Sequence, residues 1–201
     1  MWEYQKQLEY PVHVHRPDAR AAKIILSQYG GPNGELGASL RYLSQKFAMP
    51  DRGVAGLLND IGTEELAHLE IVGTLVRQLT RNLTPEQLKE GGFDAYFTDH
   101  TLGIFPASAS GVPFDAGSIQ SVGDPLADLS EDMAAEQKAR VTYDNILKMV
   151  DDPDVCDVIR FLRQREIVHY QRFGEALAKI REGLDSRNYY AFNPAYNPPK
   201  R

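Results

Sequence analysis

Three long stretches of this chain place apolar residues every three or four positions, the spacing of one buried helix face. The first line runs Val54, Leu58, Ile61, Glu65, His68, Val72, Leu75, Leu79. The second runs Leu129, Met133, Glu136, Arg140, Tyr143, Leu147, Val150, and the third Val155, Ile159, Leu162, Glu166, His169, Phe173, Leu177, Ile180. In each line a carboxylate breaks the apolar stripe at mid-helix, where a solvated glutamate has no reason to be. A further helix precedes these three. It starts at Asp18, bends around Gly30-Gly31-Pro32, and resumes from Asn33 to about Phe47.

The ends of these helices carry their own signals. Met49-Pro50-Asp51-Arg52-Gly53 is a short turn, so helices one and two are antiparallel neighbours, and helix two runs from about Gly53 to Leu79. Asp124 with Pro125 opens helix three, and Asp152 with Pro153 opens helix four, each an N-cap followed by proline at the first helical position. Between helices two and three, residues 82–123 change texture. Thr84-Pro85-Glu86-Gln87 is a capping box that starts one short helix, followed by an aperiodic run rich in Gly, Pro and Ser. A link of this length fits a crossover along the bundle, and Phe93, Tyr96, Phe97, Ile104, Phe105 and Phe114 give it apolar groups to bury.

The interruptions form an ordered set. Glu35 is followed by Glu65-x-x-His68, and Glu136 by Glu166-x-x-His169. Residues three apart share a helix face, so the Glu and His of each pair can converge on one ion. Lone Glu, Glu-x-x-His, lone Glu, Glu-x-x-His is the dinuclear metal pattern of ferritin-like four-helix bundles. The predicted fold is therefore all-α, a ferritin-like four-helix bundle with a long crossover between helices two and three. Its parts are an N-terminal arm (1–17), the bundle (18–183) and a C-terminal tail (184–201). Up to five carboxylates near one axis, with Glu64 as the fifth, would repel and lose hydration without cations. Arg140 is the one basic residue the pattern puts at that depth. Glu64 lies about 100° around the helix from Glu65 and reads as a bystander.

Composition narrows the partners. A net charge of −6 and a pI near 5.4, with no Lys/Arg-rich run, exclude an ordinary nucleic-acid binder. No stretch of 18 apolar residues is present, so no membrane span is expected. The first residues lack an apolar core, so no secretory signal is expected either. The single cysteine, Cys156, excludes an internal disulfide and reads as a packing residue. His13 and His15 alternate on one side of the extended arm and read as surface or interface residues. The tail, rich in Tyr, Asn and Pro, reads equally as a strap over a neighbouring subunit or a frayed end.

With these residues laid out, the chain resembles the manganese catalase family, in particular its short branch that includes spore-coat proteins of the CotJC type. The resemblance rests on Gly34-Glu35-Leu36 with Tyr42, on Asp60 to His68, on Ala135 to Arg140, and on Arg165 to His169. It implies two manganese ions per chain, with iron the alternative metal, and Glu65 as the bridge. Glu35 and His68 would complete one ion, Glu136 and His169 the other. The same resemblance makes Glu166 a catalytic acid/base beside the ions, whereas the general bundle pattern makes it a ligand. Tyr42, seven residues after Glu35, reads as a hydrogen-bond donor to a ligating carboxylate. The implied activity is disproportionation of hydrogen peroxide, one molecule reduced to water and a second oxidised to dioxygen. A homo-oligomer, a hexamer in the family, is implied, in the cytoplasm or in the spore coat beside other coat proteins. Longer family members carry a C-terminal extension that this sequence lacks, which leaves subunit contacts and a calcium site at Asp60 open. Two other readings fit the same ligands: a diiron oxidase or iron-handling protein, and a structural coat protein with a vestigial metal site. The lack of any Cys-x-x-Cys pair weighs against a rubrerythrin-like version.

Overall fold

Helix α1 (Ala19–Gly30) begins where Asp18 accepts hydrogen bonds from the backbone of Arg20 and Ala21. The chain then breaks at Gly31–Gly34, and α2 (Glu35–Gln45) starts afresh with Gly34 as its N-cap. The bent first helix expected from sequence is thus two helices. The reason lies in the crossover: a Cβ on Gly30 would sit 2.4 Å from the backbone of Pro106 and Ala107, so only glycine lets that strand of chain pass. The computed structural model describes residues 7–185.

Helix α3 (Arg52–Thr80) is capped by Asp51, whose side chain accepts from Val54 N. Its predicted inner line is buried at every position, from Val54 to Leu79. The capping box at Thr84 forms with both of its hydrogen bonds and opens α4 (Pro85–Glu90). A second short helix, α5 (Asp94–His100), follows it. Sequence periodicity gave only one helix here, because seven residues are too few to show a face. The remaining crossover passes Gly30 at Pro106 and Gly37 at Phe114, and ends with Gly123 beside Ala48. It therefore follows α1 and α2 along their whole length before α6 (Pro125–Met149) begins under the Asp124 cap. Helix α7 (Pro153–Asp185) starts where Asp152 accepts from Asp154 N at 2.9 Å.

Helix α6 packs along α7, while α1 and α2 pack along α3. Gly62 allows the α2–α3 approach, since a Cβ there would meet Leu43 at 2.8 Å. Two apolar clusters, around Leu75–Ile159 and around Leu58–Phe173, fill the two ends of the bundle. The polar groups of the site lie between them. The arm lies on this scaffold in extended form. Val12 and Val14 are buried, His13 and His15 exposed, and His15 pairs with Asp154 at 2.7 Å. Gln78 ties the arm down by exchanging hydrogen bonds with Val14 N and the Val12 carbonyl, both at 2.8 Å. Cys156 is buried with its Sγ on the Val150 carbonyl, as a packing residue would be. Helix α7 runs two residues into the segment expected as tail, and the tail beyond Asp185 lies outside the described residues.

One predicted face needs correction. On α6 the buried line is Asp128, Leu129, Asp132, Ala135, Glu136, Ala139, Tyr143, Ile146. Met133, Arg140 and Leu147 are only partly buried. The apolar pattern misreads this helix because two of its inward residues are aspartates, which a hydrophobicity count assigns to solvent.

Candidate metal centre

Glu35, Glu65, His68, Glu136, Glu166 and His169 all lie at 0–2% exposure in the middle of the bundle. They fall into two overlapping groups, Glu35–Glu65–His68–Glu166 and Glu65–Glu136–Glu166–His169, with donor atoms within 4.8 Å of one another in each. The five residues expected as ligands and the expected acid/base are thus in one place. The two groups share Glu65 and Glu166.

Glu65 is central. Its Oε2 lies 2.9 Å from His68 Nδ1 and its Oε1 lies 2.8 Å from His169 Nδ1, one oxygen toward each imidazole. Burial alone would raise its pKa, but the two histidines together hold it well below the usual carboxylate range. The imidazoles respond in kind. Burial disfavours their charge, yet Glu65 first and then Glu64 push His68 up to about 10. Glu65 and Glu136 drive His169 up to about 12 in the same way. Glu35 and Glu166 go the other way. Desolvation first, then the neighbouring carboxylates, raise both well above the ordinary value.

Several of these buried atoms complete no well-directed hydrogen bond, even where a charged neighbour is close. They include Glu65 Oε1, Glu136 Oε2, Glu166 Oε1 and both ring nitrogens of His169. Orphaned buried polar atoms cost on the order of 1–3 kcal/mol each, and this many in one place needs a compensating ligand. Carboxylates and imidazoles in these numbers suit manganese or iron, and two divalent cations would offset the repulsion among the buried carboxylates. The residues fit a dinuclear centre.

Two tyrosines hold the carboxylates from opposite sides. Tyr42, on α2, donates its hydroxyl to Glu136 on α6. Tyr143, on α6, donates to Glu35 on α2. Each tyrosine is fully buried, and burial first, then the adjacent carboxylate, raises its pKa so that it stays a neutral donor. Sequence reasoning singled out Tyr42 alone. The signal for Tyr143 was there, since it follows Glu136 by seven residues as Tyr42 follows Glu35.

Two charge assignments made from sequence do not hold. Glu64 is not a bystander: its Oε2 lies 3.2 Å from His169 Nε2, and its Oε1 lies 3.5 Å from His68 Nε2 and 2.6 Å from Arg165. It therefore faces the outer nitrogens of both imidazoles, a placement that orients their Nδ1 atoms inward. Burial would raise its pKa, but His169, His68 and Arg165 hold it well below the usual range. Nor does Arg140 reach the cluster. Its guanidinium pairs with Asp144 at 2.7 Å toward the surface. The phase error on α6 explains the first assumption about Arg140, and side-chain length explains Glu64, which reaches back across the helix face.

One residue of the site came from an unexpected place. Glu9, in the arm, brings its Oε2 to 3.5 Å from His68 Nε2, and Tyr10 beside it stacks on Phe161 at 4.3 Å between ring centroids. Asp60, by contrast, is exposed and belongs to no convergent ligand group among the described residues.

The comparisons agree with this geometry. The family model for manganese-containing catalase matches residues 1–188. Protein CotJC of Bacillus subtilis is 51% identical over 190 residues, which are 94% of this chain and 100% of that protein. A probable manganese catalase of Clostridium acetobutylicum is 35% identical, over 94% of this chain and 85% of that one. Among solved structures, KatB, a manganese catalase from Anabaena, superposes with a TM-score of 0.84 at 32% identity, covering 90% of this chain and 81% of that chain.

Proposed function

The chain belongs to the manganese-containing catalase family, and on that premise we propose that it disproportionates hydrogen peroxide at a dinuclear manganese centre. The observation that carries the proposal is Glu65, which turns one oxygen to each histidine, 2.9 Å and 2.8 Å away, inside two overlapping donor groups. Glu35, Glu65 and His68 would hold one ion, and Glu65, Glu136 and His169 the other. Bound there, the two ions supply a two-electron redox couple that the side chains themselves lack.

The protein's own part is to hold, orient and move protons. Tyr42 and Tyr143 fix Glu136 and Glu35, and Glu64 places its charge against the outer nitrogens of both imidazoles. Glu166 reaches both donor groups, makes no ion pair with either histidine, and keeps an unpartnered Oε1. A buried carboxyl whose pKa is raised is suited to general acid/base work. Peroxide reduction, H2O2 + 2H+ + 2e− → 2H2O, consumes protons, and peroxide oxidation, H2O2 → O2 + 2H+ + 2e−, returns them. Glu166 Oε1 gives a proton in the first and takes one back in the second. The apolar clusters on either side keep bulk water from the reacting atoms.

The likeness to CotJC over that protein's whole length favours the spore coat as the site of action. A structural coat role with an inactive centre is the competing reading. One measurement separates them. Protein produced with ample manganese should carry near two manganese ions per chain and release oxygen from peroxide without haem. Metal content near zero with either manganese or iron supplied would refute the dimetal centre. A loaded but inert protein would leave the structural role, and a loaded protein that instead oxidises iron(II) in many turnovers would make it a diiron oxidase.

A further inference from the structure

The N-terminal arm is fastened to both helices that carry the histidines. On α3, Gln78 holds Val12 and Val14, and Arg81 Nη2 donates to the Val14 carbonyl at 2.6 Å. On α7, Asp154 accepts from His15 N at 3.1 Å and Asp157 accepts the Tyr10 hydroxyl at 2.7 Å. Tyr10 also lies flat on Phe161, their ring planes 14° apart, and Phe161 stands edge-on to His68 with centroids 6.2 Å apart. Exposed polar contacts are worth little singly. Anchors on two helices, at both sides of one short segment, nevertheless fix its register.

That register sets Glu9 over His68. The imidazole is 0% exposed, with Nδ1 turned inward to Glu65 at 2.9 Å and Nε2 turned outward. Nε2 lies 3.5 Å from Glu9 Oε2 and 3.5 Å from Glu64 Oε1, and completes no directed hydrogen bond with either. The two carboxylates are not equally free. Glu64 Oε1 already takes the Arg165 guanidinium at 2.6 Å, and its Oε2 faces His169 Nε2 at 3.2 Å. Glu64 is thus divided among three partners, while Glu9, among the described residues, ion-pairs with His68 alone. An imidazole that gives one nitrogen to a metal keeps a proton on the other, and an acceptor there fixes the ring and raises its basicity.

We propose that Glu9 is a positioning residue of the metal centre: the arm delivers it as the outer acceptor of His68, so docking of the arm sets how firmly the ion on the Glu35–Glu65–His68 side is held. The inference rests on the dinuclear reading of the site. It makes the two sides unequal. His169 takes its outer acceptor, Glu64, from α3 and keeps it whether or not the arm is docked. His68 takes its own from a segment that reaches the bundle ahead of the first helix, so the ion on its side is the first to leave when the arm is loosened.

The test is release of manganese from the loaded full chain into excess chelator, followed by metal analysis, in the wild type, Glu9→Ala, Glu9→Gln and Tyr10→Ala. Glu9→Ala should release one of its two ions about tenfold faster or more, the range for losing a ligand's outer partner, with the second ion unchanged. Glu9→Gln keeps an acceptor oxygen without the charge and should recover part of the slow rate. Tyr10→Ala removes the stack on Phe161 and the bond to Asp157, and should speed the same phase by a smaller factor. Equal acceleration of both ions in Glu9→Ala would make the arm a mere shield and overturn the proposal. Wild-type release in Glu9→Ala or in Tyr10→Ala, or identical rates in the Ala and Gln variants of Glu9, would overturn it as well. A wild type that takes up no metal would overturn the dinuclear reading and this inference together, whereas a loaded centre with unaltered release in the variants overturns the inference alone.

Discussion

The two halves of the bundle carry the same motif and use it differently. In α2–α3 a lone Glu35 precedes Glu64-Glu65-x-x-His68, and in α6–α7 a lone Glu136 precedes Arg165-Glu166-x-x-His169. The lone glutamates are treated alike, each receiving a tyrosine hydroxyl from the opposite half. The paired glutamates are not. Glu65 lies within 2.9 Å of both imidazoles, which lower its pKa, whereas Glu166 faces other carboxylates and burial and their charge raise its pKa. The residue before each is part of the difference. Glu64 faces the outer nitrogens of both histidines, and its partner Arg165, in the equivalent place of the other half, points outward to meet it at 2.6 Å. A repeat of sequence therefore does not make a repeat of surroundings: the charges packed around each copy differ, and the proposed split of Glu65 as ligand and Glu166 as proton carrier follows that difference.

The same substitution in the two halves breaks the comparison most sharply. Glu65→Gln should remove both ions and all measurable turnover, while Glu166→Gln should keep near two metals per chain and lose turnover by ~100-fold. Metal analysis of both variants from parallel preparations reads this directly. Equal metal loss in the two would make Glu166 a ligand and the halves equivalent. His169→Ala should sit between them, emptying one metal position and leaving buried carboxylates uncompensated, at about 3–5 kcal/mol of stability.

A second difference between the halves is Asp132 on α6, a fully buried acid whose desolvation outweighs the nearby Gln45 side chain and Arg41 charge. Its carboxyl has a folded-state pKa near 8 against an ordinary 3.8. A raised carboxyl favours the folded state most below the ordinary value, so this contribution is full under pH 4 and is lost as pH climbs toward 8. At pH 7 the difference is on the order of 4 kcal/mol. Unfolding by denaturant across pH 5–8 should show stability falling with pH in the wild type and a flatter curve in Asp132→Asn; parallel curves would place the Asp132 pKa in the ordinary range.

The smallest effects test the tyrosine exchange. Tyr42→Phe and Tyr143→Phe each remove one donor from a buried carboxylate and should cost about 1–3 kcal/mol apiece. Thermal melts should give nearly equal losses if the two bonds are equivalent. A loss confined to one variant would show that the halves differ at the lone glutamates as well.

Much of this was legible in the chain because its signals are local. The helix start at Asp18, the N-caps at Asp124 and Asp152, the capping box at Thr84, and the stripes of α3 and α7 are fixed by residues a turn or less apart. The glutamate–histidine spacing is local too, so the ligand candidates were readable together with the helix faces that carry them. The stripe of α6 was misread because Asp128 and Asp132 point inward, and inward acids are justified only by what they meet from other helices.

The sequence by itself determined four long amphipathic segments, a crossover to join the second and third, and six polar residues confined to their inner faces. Helical periodicity and capping depend on neighbours in the chain, and a metal-binding face is written in steps of three and four. The tertiary structure alone decided that Tyr42 serves Glu136 and Tyr143 serves Glu35, that Glu64 turns inward while Arg140 turns out, and that Glu9 arrives from the arm. It also set the opposite pKa shifts of Glu65 and Glu166. Those outcomes depend on distances of a few ångströms between residues as many as 108 positions apart, where Coulomb energy and desolvation change steeply and sequence spacing carries no information.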